Sequence, residues 1–158
     1  MRHTISVLVE NKFGVLARIS GLFSARGYNI SSLAVSETLD PTVSCMTIVV
    51  DAKDEMILEQ IKKQLNKLID VITVTDFTKK AHVERELVLV KALVSPKTKM
   101  KLESTLKKFP AKIVEHTATF VIIEVMGDQE QIKNALEALH SLGVKELIRT
   151  GRIAMAIE

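Results

Sequence analysis

The 158-residue sequence predicts an α+β protein built from two ferredoxin-like βαββαβ domains. Its length suits two small domains of roughly 75 residues each, or one medium domain. Apolar residues switch repeatedly between the period of a strand and the period of a helix, and the same order of elements occurs twice. The composition is 47% hydrophobic but only 4% aromatic, without Trp. We therefore expect aliphatic cores.

The first predicted elements are a strand, a turn and a helix. The strand is indicated by alternating apolar residues, namely Ile5, Val7 and Val9. The chain then turns through residues 10–14. The helix is indicated by a buried stripe at helical spacing, namely Val15, Leu16, Ile19, Leu22 and Phe23. Arg26 and Gly27 end this helix, because a cation suits the last turn and a glycine suits a left-handed cap.

Four further elements complete the first half. Residues 30–36 and 43–50 read as strands, separated by a turn at the sequence Leu39-Asp40-Pro41. Asp54 is a suitable N-cap for a second helix, whose apolar face carries Ile57, Ile61, Leu65 and Leu68. Residues 71–77 form a fourth strand. The order of the first half is therefore βαββαβ.

The second half repeats this order. Its strands are predicted at residues 87–94, 112–116, 120–126 and 144–148, with a short terminal strand at 153–157. Its first helix opens near Pro96 and buries Leu102, Leu106 and Phe109. Its second helix is capped by Asp128, buries Ile132, Ala135, Leu136 and Leu139, and closes at Gly143.

The predicted domains are residues 1–77 and 83–158, joined by a polar linker at 78–82. Right-handed crossovers give each domain an antiparallel four-stranded sheet with two helices on one face. The other face of each sheet then needs cover, so we expect pairing between domains or between chains.

Composition and spacing exclude several classes of function. No apolar run approaches the roughly 20 residues of a membrane span, so we expect no membrane partner. With Cys45 as the single cysteine no intramolecular disulfide can form, and a cytoplasmic location is the simplest expectation. The third strand, 43–50, lacks the aromatics on which RNA-recognition modules stack bases, so we expect no nucleic-acid partner. The four His residues show no ligand spacing, so we expect no metal site.

The best candidate for a binding site is the turn Asn11-Lys12-Phe13-Gly14. A helix begins just after Gly14, so free N–H groups and the helix dipole attract a carboxylate there. Asn29 follows the same helix and can offer its amide oxygen to an ammonium group. Suitable apolar neighbours for an aliphatic side chain are Val15, Leu16 and Ile30. These groups together describe a branched-chain amino acid, although Asn and Gly are also ordinary turn formers.

A family resemblance extends over essentially the whole chain. The run SVLVENKFGVLARISGLFSARGYNISSL resembles the ACT domain of the regulatory (small) subunit of acetohydroxyacid synthase. The later segments DPTVSCMTIVV, EQIKKQLNKLIDVITV, HVERELVLVKA and RTGRIAMA are also similar to that family. The C-terminal half departs from the family more, because it has the segments PKTKMK and FPAKIVE in place of a sharp motif.

The resemblance implies a regulatory subunit that is not itself an enzyme. Members bind valine, or another branched-chain amino acid, between the ACT domains of a homodimer. They activate the catalytic large subunit and confer feedback inhibition on it. Thiamine diphosphate, Mg and FAD are expected on that catalytic subunit, with no cofactor on this chain. The family's ligand turn falls on Asn11 to Leu16, and the facing residues from the other chain fall on Asn29 and Ile30.

Two alternatives have the same fold. A small enzyme of the acylphosphatase kind would need an Arg in the first loop, where this chain has Lys12, a poorer planar clamp for phosphate. A scaffold without a ligand would use the turn only as a helix start.

Overall fold

A computed structural model describes residues 2–52, 55–94, 96–140 and 142–157, and omits the side chains of 96–99 and 101. The molecule is α+β with two antiparallel sheets of βαββαβ organisation, which confirms the predicted fold class. The chain divides into two compact units, Met1–Val83 with Arg152–Glu158 and Glu84–Gly151. The predicted N-cap at Asp54 lies outside the described residues.

The N-terminal unit contains the first six elements. They are β1 (Arg2–Glu10), α1 (Val15–Ala25), β2 (Ile30–Glu37), β3 (Val43–Asp51), α2 (Glu55–Leu65) and β4 (Val71–Asp76). The sheet order is β2-β3-β1-β4, so β2 and β4 are its edges. Alternate residues of the central strands form one aliphatic core with both helices, because Ile5, Val7 and Val9 are fully buried.

The end of α1 follows the predicted glycine cap. Gly27 has φ +69°, a left-handed conformation that favours glycine. The N–H of Tyr28 donates to the carbonyl of Phe23 at 3.0 Å, and the N–H of Gly27 donates to that of Ser24 at 3.1 Å. These two bonds form a Schellman motif, which satisfies carbonyls at the helix end. The motif fixes where Asn29 and β2 begin.

The C-terminal unit repeats the fold. Its first strand is β5 (His82–Leu93), which belongs to this unit from Glu84 onward. The following elements are α3 (Pro96–Leu106), β6 (Ala111–His116), β7 (Phe120–Gly127), α4 (Gln129–His140) and β8 (Val144–Arg149). The strand path is β6-β7-β5-β8. At the start of α4, the N–H of Gln131 donates to Asp128 Oδ1 at 2.8 Å, and the N–H of Asp128 donates to Gln131 Oε1 at 3.0 Å. This reciprocal capping box closes the helix start with protein groups alone.

The boundaries of the two compact units differ from the predicted domain boundaries at both ends of the second half. β5 begins at His82, inside the predicted linker, and the terminal strand β9 (Ile153–Ala156) pairs with β5. Residues 152–158 belong to the N-terminal unit. There the N–H of Arg152 donates to Ser32 Oγ at 3.0 Å, and the N–H of Ile157 donates to the carbonyl of Ala81 at 3.2 Å. Both bonds use backbone N–H groups and join distant parts of the chain, so local composition does not reveal them.

Candidate functional site

The start of α1 presents unused backbone donors. Gly14 is the N-cap residue with φ +80°, and no side chain caps this helix. In the described part of the chain, four N–H groups around this helix start have no hydrogen-bond acceptor, those of Phe13, Gly14, Leu16 and Ala17. The helix dipole adds partial positive charge at the same place. In contrast to the self-capped α4, the start of α1 has free donors of the kind that bind anions.

The side chains of the turn do not all point to one site. Asn11 donates its amide to the carbonyl of Pro41 at 2.9 Å, and its N–H donates to Thr42 at 2.7 Å. Lys12 pairs with Glu10 at 2.8 Å, and this hydrogen bond raises the pKa of Lys12. Asn11 therefore holds the turn against the β2–β3 loop, and Lys12 neutralises its neighbour.

The three apolar residues of the predicted turn differ sharply in exposure. Phe13 is fully exposed and Leu16 is 44% exposed, whereas Val15 is buried in the core. A ligand at the start of α1 could contact the side chain of Leu16. Val15 could offer only its backbone, because its side chain packs against the sheet.

Arg18 and Asp70 are two residues beside the turn that the sequence analysis did not identify. Arg18 Nε donates to Asp70 Oδ2 at 2.7 Å, and the Asp70 side chain is buried. A Cβ added to Gly14 would lie 3.1 Å from Arg18 Nη1, so the guanidinium stands beside the free N–H groups. A cation in the first turn opposes the helix dipole. An Arg so near the start of a helix is therefore the feature of the sequence that could have indicated a special role here. Asp70 offsets the positive charge of Arg18.

Asn29 lies at the other end of α1. Ser31 donates to Asp51 Oδ2 at 2.6 Å and lowers the pKa of Asp51, and the nearby Asn29 side chain lowers that pKa further. An Asn side chain has both an NH₂ donor and an acceptor oxygen, so Asn29 has a group that can accept from an ammonium. Ile30 is partly buried at the start of β2.

The two halves of the predicted site are not brought together within one chain. They are separated by the length of α1, which has 11 residues and therefore spans about 16 Å. One end carries the turn at 11–16, and the other carries Asn29 and Ile30. The single chain thus places the predicted site residues at two separate positions rather than in one pocket.

A pocket of about 300 Å³ lies elsewhere in the N-terminal unit, between α2 and β4. Its charged side chains are largely paired with each other, since Lys62 contacts Glu59 at 2.6 Å and Lys79 contacts Glu55 at 2.8 Å. It contains none of the predicted site residues. Across the described residues there is no group of three or more His, Cys, Asp or Glu that could hold a metal ion. None of the described helices combines the length and apolar character that a membrane span requires.

Comparison with known proteins identifies the family of both units. Residues 5–73 match the model of the AHAS small subunit-like ACT domain, and residues 85–158 match that of the small subunit of acetolactate synthase. A probable acetolactate synthase small subunit of Archaeoglobus fulgidus is 46% identical over 98% of this chain and 96% of its own length. The acetolactate synthase small subunit of Bacillus subtilis is 40% identical over 99% of this chain and 91% of its own length.

A solved structure agrees with these matches. The small subunit of acetolactate synthase from Thermotoga maritima has a TM-score of 0.88 and 35% identity, covering 100% of this chain and 98% of its own. The sequence-based resemblance is therefore confirmed, and with it the assignment to a regulatory rather than a catalytic class of subunit. The chain belongs to the acetolactate synthase small-subunit family, and its N-terminal unit is an ACT domain.

Proposed function

We propose that two copies of this chain bind valine between their ACT domains and thereby regulate the catalytic subunit of acetolactate synthase. The observation that carries the proposal is the pair of half-sites at opposite ends of α1. One half has free N–H groups, and the other has the Asn29 side-chain amide, whose oxygen can accept. Each half is incomplete alone, and a second copy can supply the missing one.

The edge strand β2 supports pairing between copies. Its sequence ISSLAVSE carries no charge before Glu37, and no Pro or Lys protects it. An edge of this kind is a template for pairing with another strand. Antiparallel pairing of two β2 strands would bring the start of one strand beside the end of the other. Asn29 and Ile30 of one copy would then face the turn at 11–16 of the second copy.

Each group of an aliphatic amino acid has a counterpart in this arrangement. The carboxylate would accept from the N–H groups at the start of α1, with Arg18 adding positive charge. The ammonium would donate to the Asn29 amide oxygen of the second copy. The side chain would lie between Leu16 and Ile30, which are partly exposed and apolar. Leucine and isoleucine are further candidates for the same site.

Regulation follows from a ligand shared by two copies. Valine would favour the quaternary state in which the half-sites meet, and the catalytic subunit would distinguish that state from others. Valine and the catalytic subunit must then alter each other's affinity. We propose activation by the unliganded subunit and feedback inhibition by the liganded one, in the cytoplasm. Thiamine diphosphate, Mg and FAD would be bound by the catalytic subunit.

The proposed site can be tested by calorimetric titration with valine. Gly14→Asp should abolish binding, because it puts a carboxylate where the carboxylate of the ligand should lie. Gly143→Asp is the matched control, since Gly143 has φ +78° in the other unit and the change carries the same backbone strain. Unchanged affinity in Gly14→Asp would refute the site. If the wild-type chain binds no branched-chain amino acid, the scaffold alternative is correct instead.

A further inference from the structure

Three large apolar side chains of the N-terminal unit are almost completely exposed. The exposed fractions are 102% for Phe13, 106% for Leu39 and 95% for Ile69. Each stands in a different loop: the β1–α1 turn, the β2–β3 turn and the α2–β4 turn. Exposing three such residues costs solubility, and clustered apolar exposure marks interaction sites.

The three loops lie at one end of the sheet. The N–H of Asn11 donates to Thr42 at 2.7 Å, which joins the first loop to the second. The N–H of Glu10 donates to the carbonyl of Asp70 at 2.9 Å, which joins the end of β1 to the third. We call Phe13, Leu39 and Ile69 the apolar tip, because they surround the end of β1.

Hydrogen bonds hold the loops of the apolar tip in place. Thr42 donates to Asp40 Oδ1 through both its N–H, at 2.9 Å, and its hydroxyl, at 2.7 Å. Asn11 holds the same loop through Pro41. A preformed loop loses little conformational entropy when a partner binds. The exposed side chains are therefore presented on an ordered frame.

Several charged side chains next to the apolar tip have partners within the chain, and Asp40 accepts from Thr42. Lys12 contacts Glu10, and Arg18 contacts Asp70. A complementary surface would therefore be apolar rather than strongly charged. The β2 edge, in contrast, offers backbone donors and acceptors that suit a second copy. Phe13 lies in the turn that a second copy would face, whereas Leu39 and Ile69 lie in two other loops and are the residues that a different partner would contact.

We propose that the apolar tip docks onto an apolar surface of the catalytic subunit. The argument for this partner is continuity with the proposed effector site, because Phe13 lies in the same turn as Gly14. A partner that must sense the effector needs contact with residues whose environment the effector changes. The choice of partner rests on the proposed function, whereas the surface itself rests on the exposure and adjacency of its three residues.

The test measures the affinity of the purified full-length chain for the catalytic subunit, without valine, by biolayer interferometry. Leu39→Ser and Ile69→Ser should each weaken association by about 10-fold or more, and their combination by more than about 100-fold. Phe13→Ser should have a similar effect. Met56→Ser is the matched control, because Met56 is 73% exposed on α2 of the same unit, and it should change affinity by less than about 2-fold. Added salt should have little effect on the wild-type affinity.

Two results would overturn the proposal. The first is unchanged affinity in the Leu39→Ser, Ile69→Ser double variant. The second is loss of self-association by that variant in sedimentation, which would make the tip an interface between copies. Folding is not at risk, since fully exposed side chains contribute no packing, and thermal unfolding checks this. A wild-type chain that fails to bind valine would refute the proposed effector site but leave this docking test intact.

Discussion

Arg18 is the residue whose role the structure changes most. Its guanidinium lies beside Gly14 and is held by the buried carboxylate of Asp70, 52 residues away in the sequence. Sequence periodicity cannot reveal such a pair, because it depends on how α1 and the α2–β4 turn approach in the fold. The same limit applies to Val15, whose side chain joins the core although its position in the turn suggested ligand contact. Gly14, in contrast, was predictable, because its positive φ follows from the turn itself.

We expect Arg18→Met to weaken valine binding by at least about 10-fold, because a charge-assisted hydrogen bond to the carboxylate is lost. The variant should also lower the free energy of unfolding by roughly 1–3 kcal/mol, since Asp70 stays buried without its cation. Arg149→Met is the matched control, because Arg149 donates to the buried Glu86 at 2.8 Å in the other unit. It should lose similar stability in thermal unfolding but no valine affinity. Equal titrations for the two variants would exclude Arg18 from the site.

Among the elements, the two edge strands of the ACT sheet have different expected roles. β2 is the edge that we assign to pairing between copies, whereas β4 is the opposite edge. Val35 on β2 is 42% exposed, and Ile72 on β4 is 54% exposed. The two positions therefore allow the same change to be made on either edge.

We predict that Val35→Lys converts the dimer to a monomer, because a charged side chain on an edge opposes strand pairing. Valine binding should be lost together with the dimer, since each site needs two copies. Ile72→Lys should leave both unchanged. Analytical ultracentrifugation and calorimetry measure the two effects, and a dimeric Val35→Lys variant would show that β2 is not the interface.

Secondary structure was largely predictable because each element carries its own signal. Helix α1 ends where Arg26 and Gly27 predict, and α4 begins at its Asp128 cap. The strand alternation of β1 matches its burial. The helix α2 ends at Leu65, yet Leu68 still packs against the core from the following turn, so apolar spacing overestimated the helix. The early start of β5 depends on partner strands, which local composition does not encode.

For the molecule as a whole, the chain returns at its C-terminal end to the N-terminal unit. Two hydrogen bonds fasten this segment: the N–H of Arg152 donates to the Ser32 hydroxyl oxygen, and the N–H of Ile157 donates to the carbonyl of Ala81. The N-terminal unit is therefore assembled from both ends of the described chain.

A chain that ends at Gly151 should have a less stable N-terminal unit, by at least about 1–3 kcal/mol, because the bonds of Arg152 and Ile157 are lost together with strand β9. Amide exchange should become faster around Ala81 in the truncated chain. Met155→Ser in the full-length chain is the control, because this side chain is 75% exposed and the backbone bonds remain. Identical exchange in the truncated and full-length chains would contradict the prediction.

Because the length of α1 separates the two proposed half-sites, two different defective copies should be able to complement each other in a mixed dimer. A Gly14→Asp copy damages only the turn, and an Asn29→Ala copy damages only the opposite half. In a mixed dimer one site then contains both defects, while the other combines an intact turn with an intact Asn29. Two variants that are each inactive should thus complement each other and restore one valine per dimer. Co-expression with two affinity tags and calorimetry would measure this stoichiometry, and a site contained in one chain would give none.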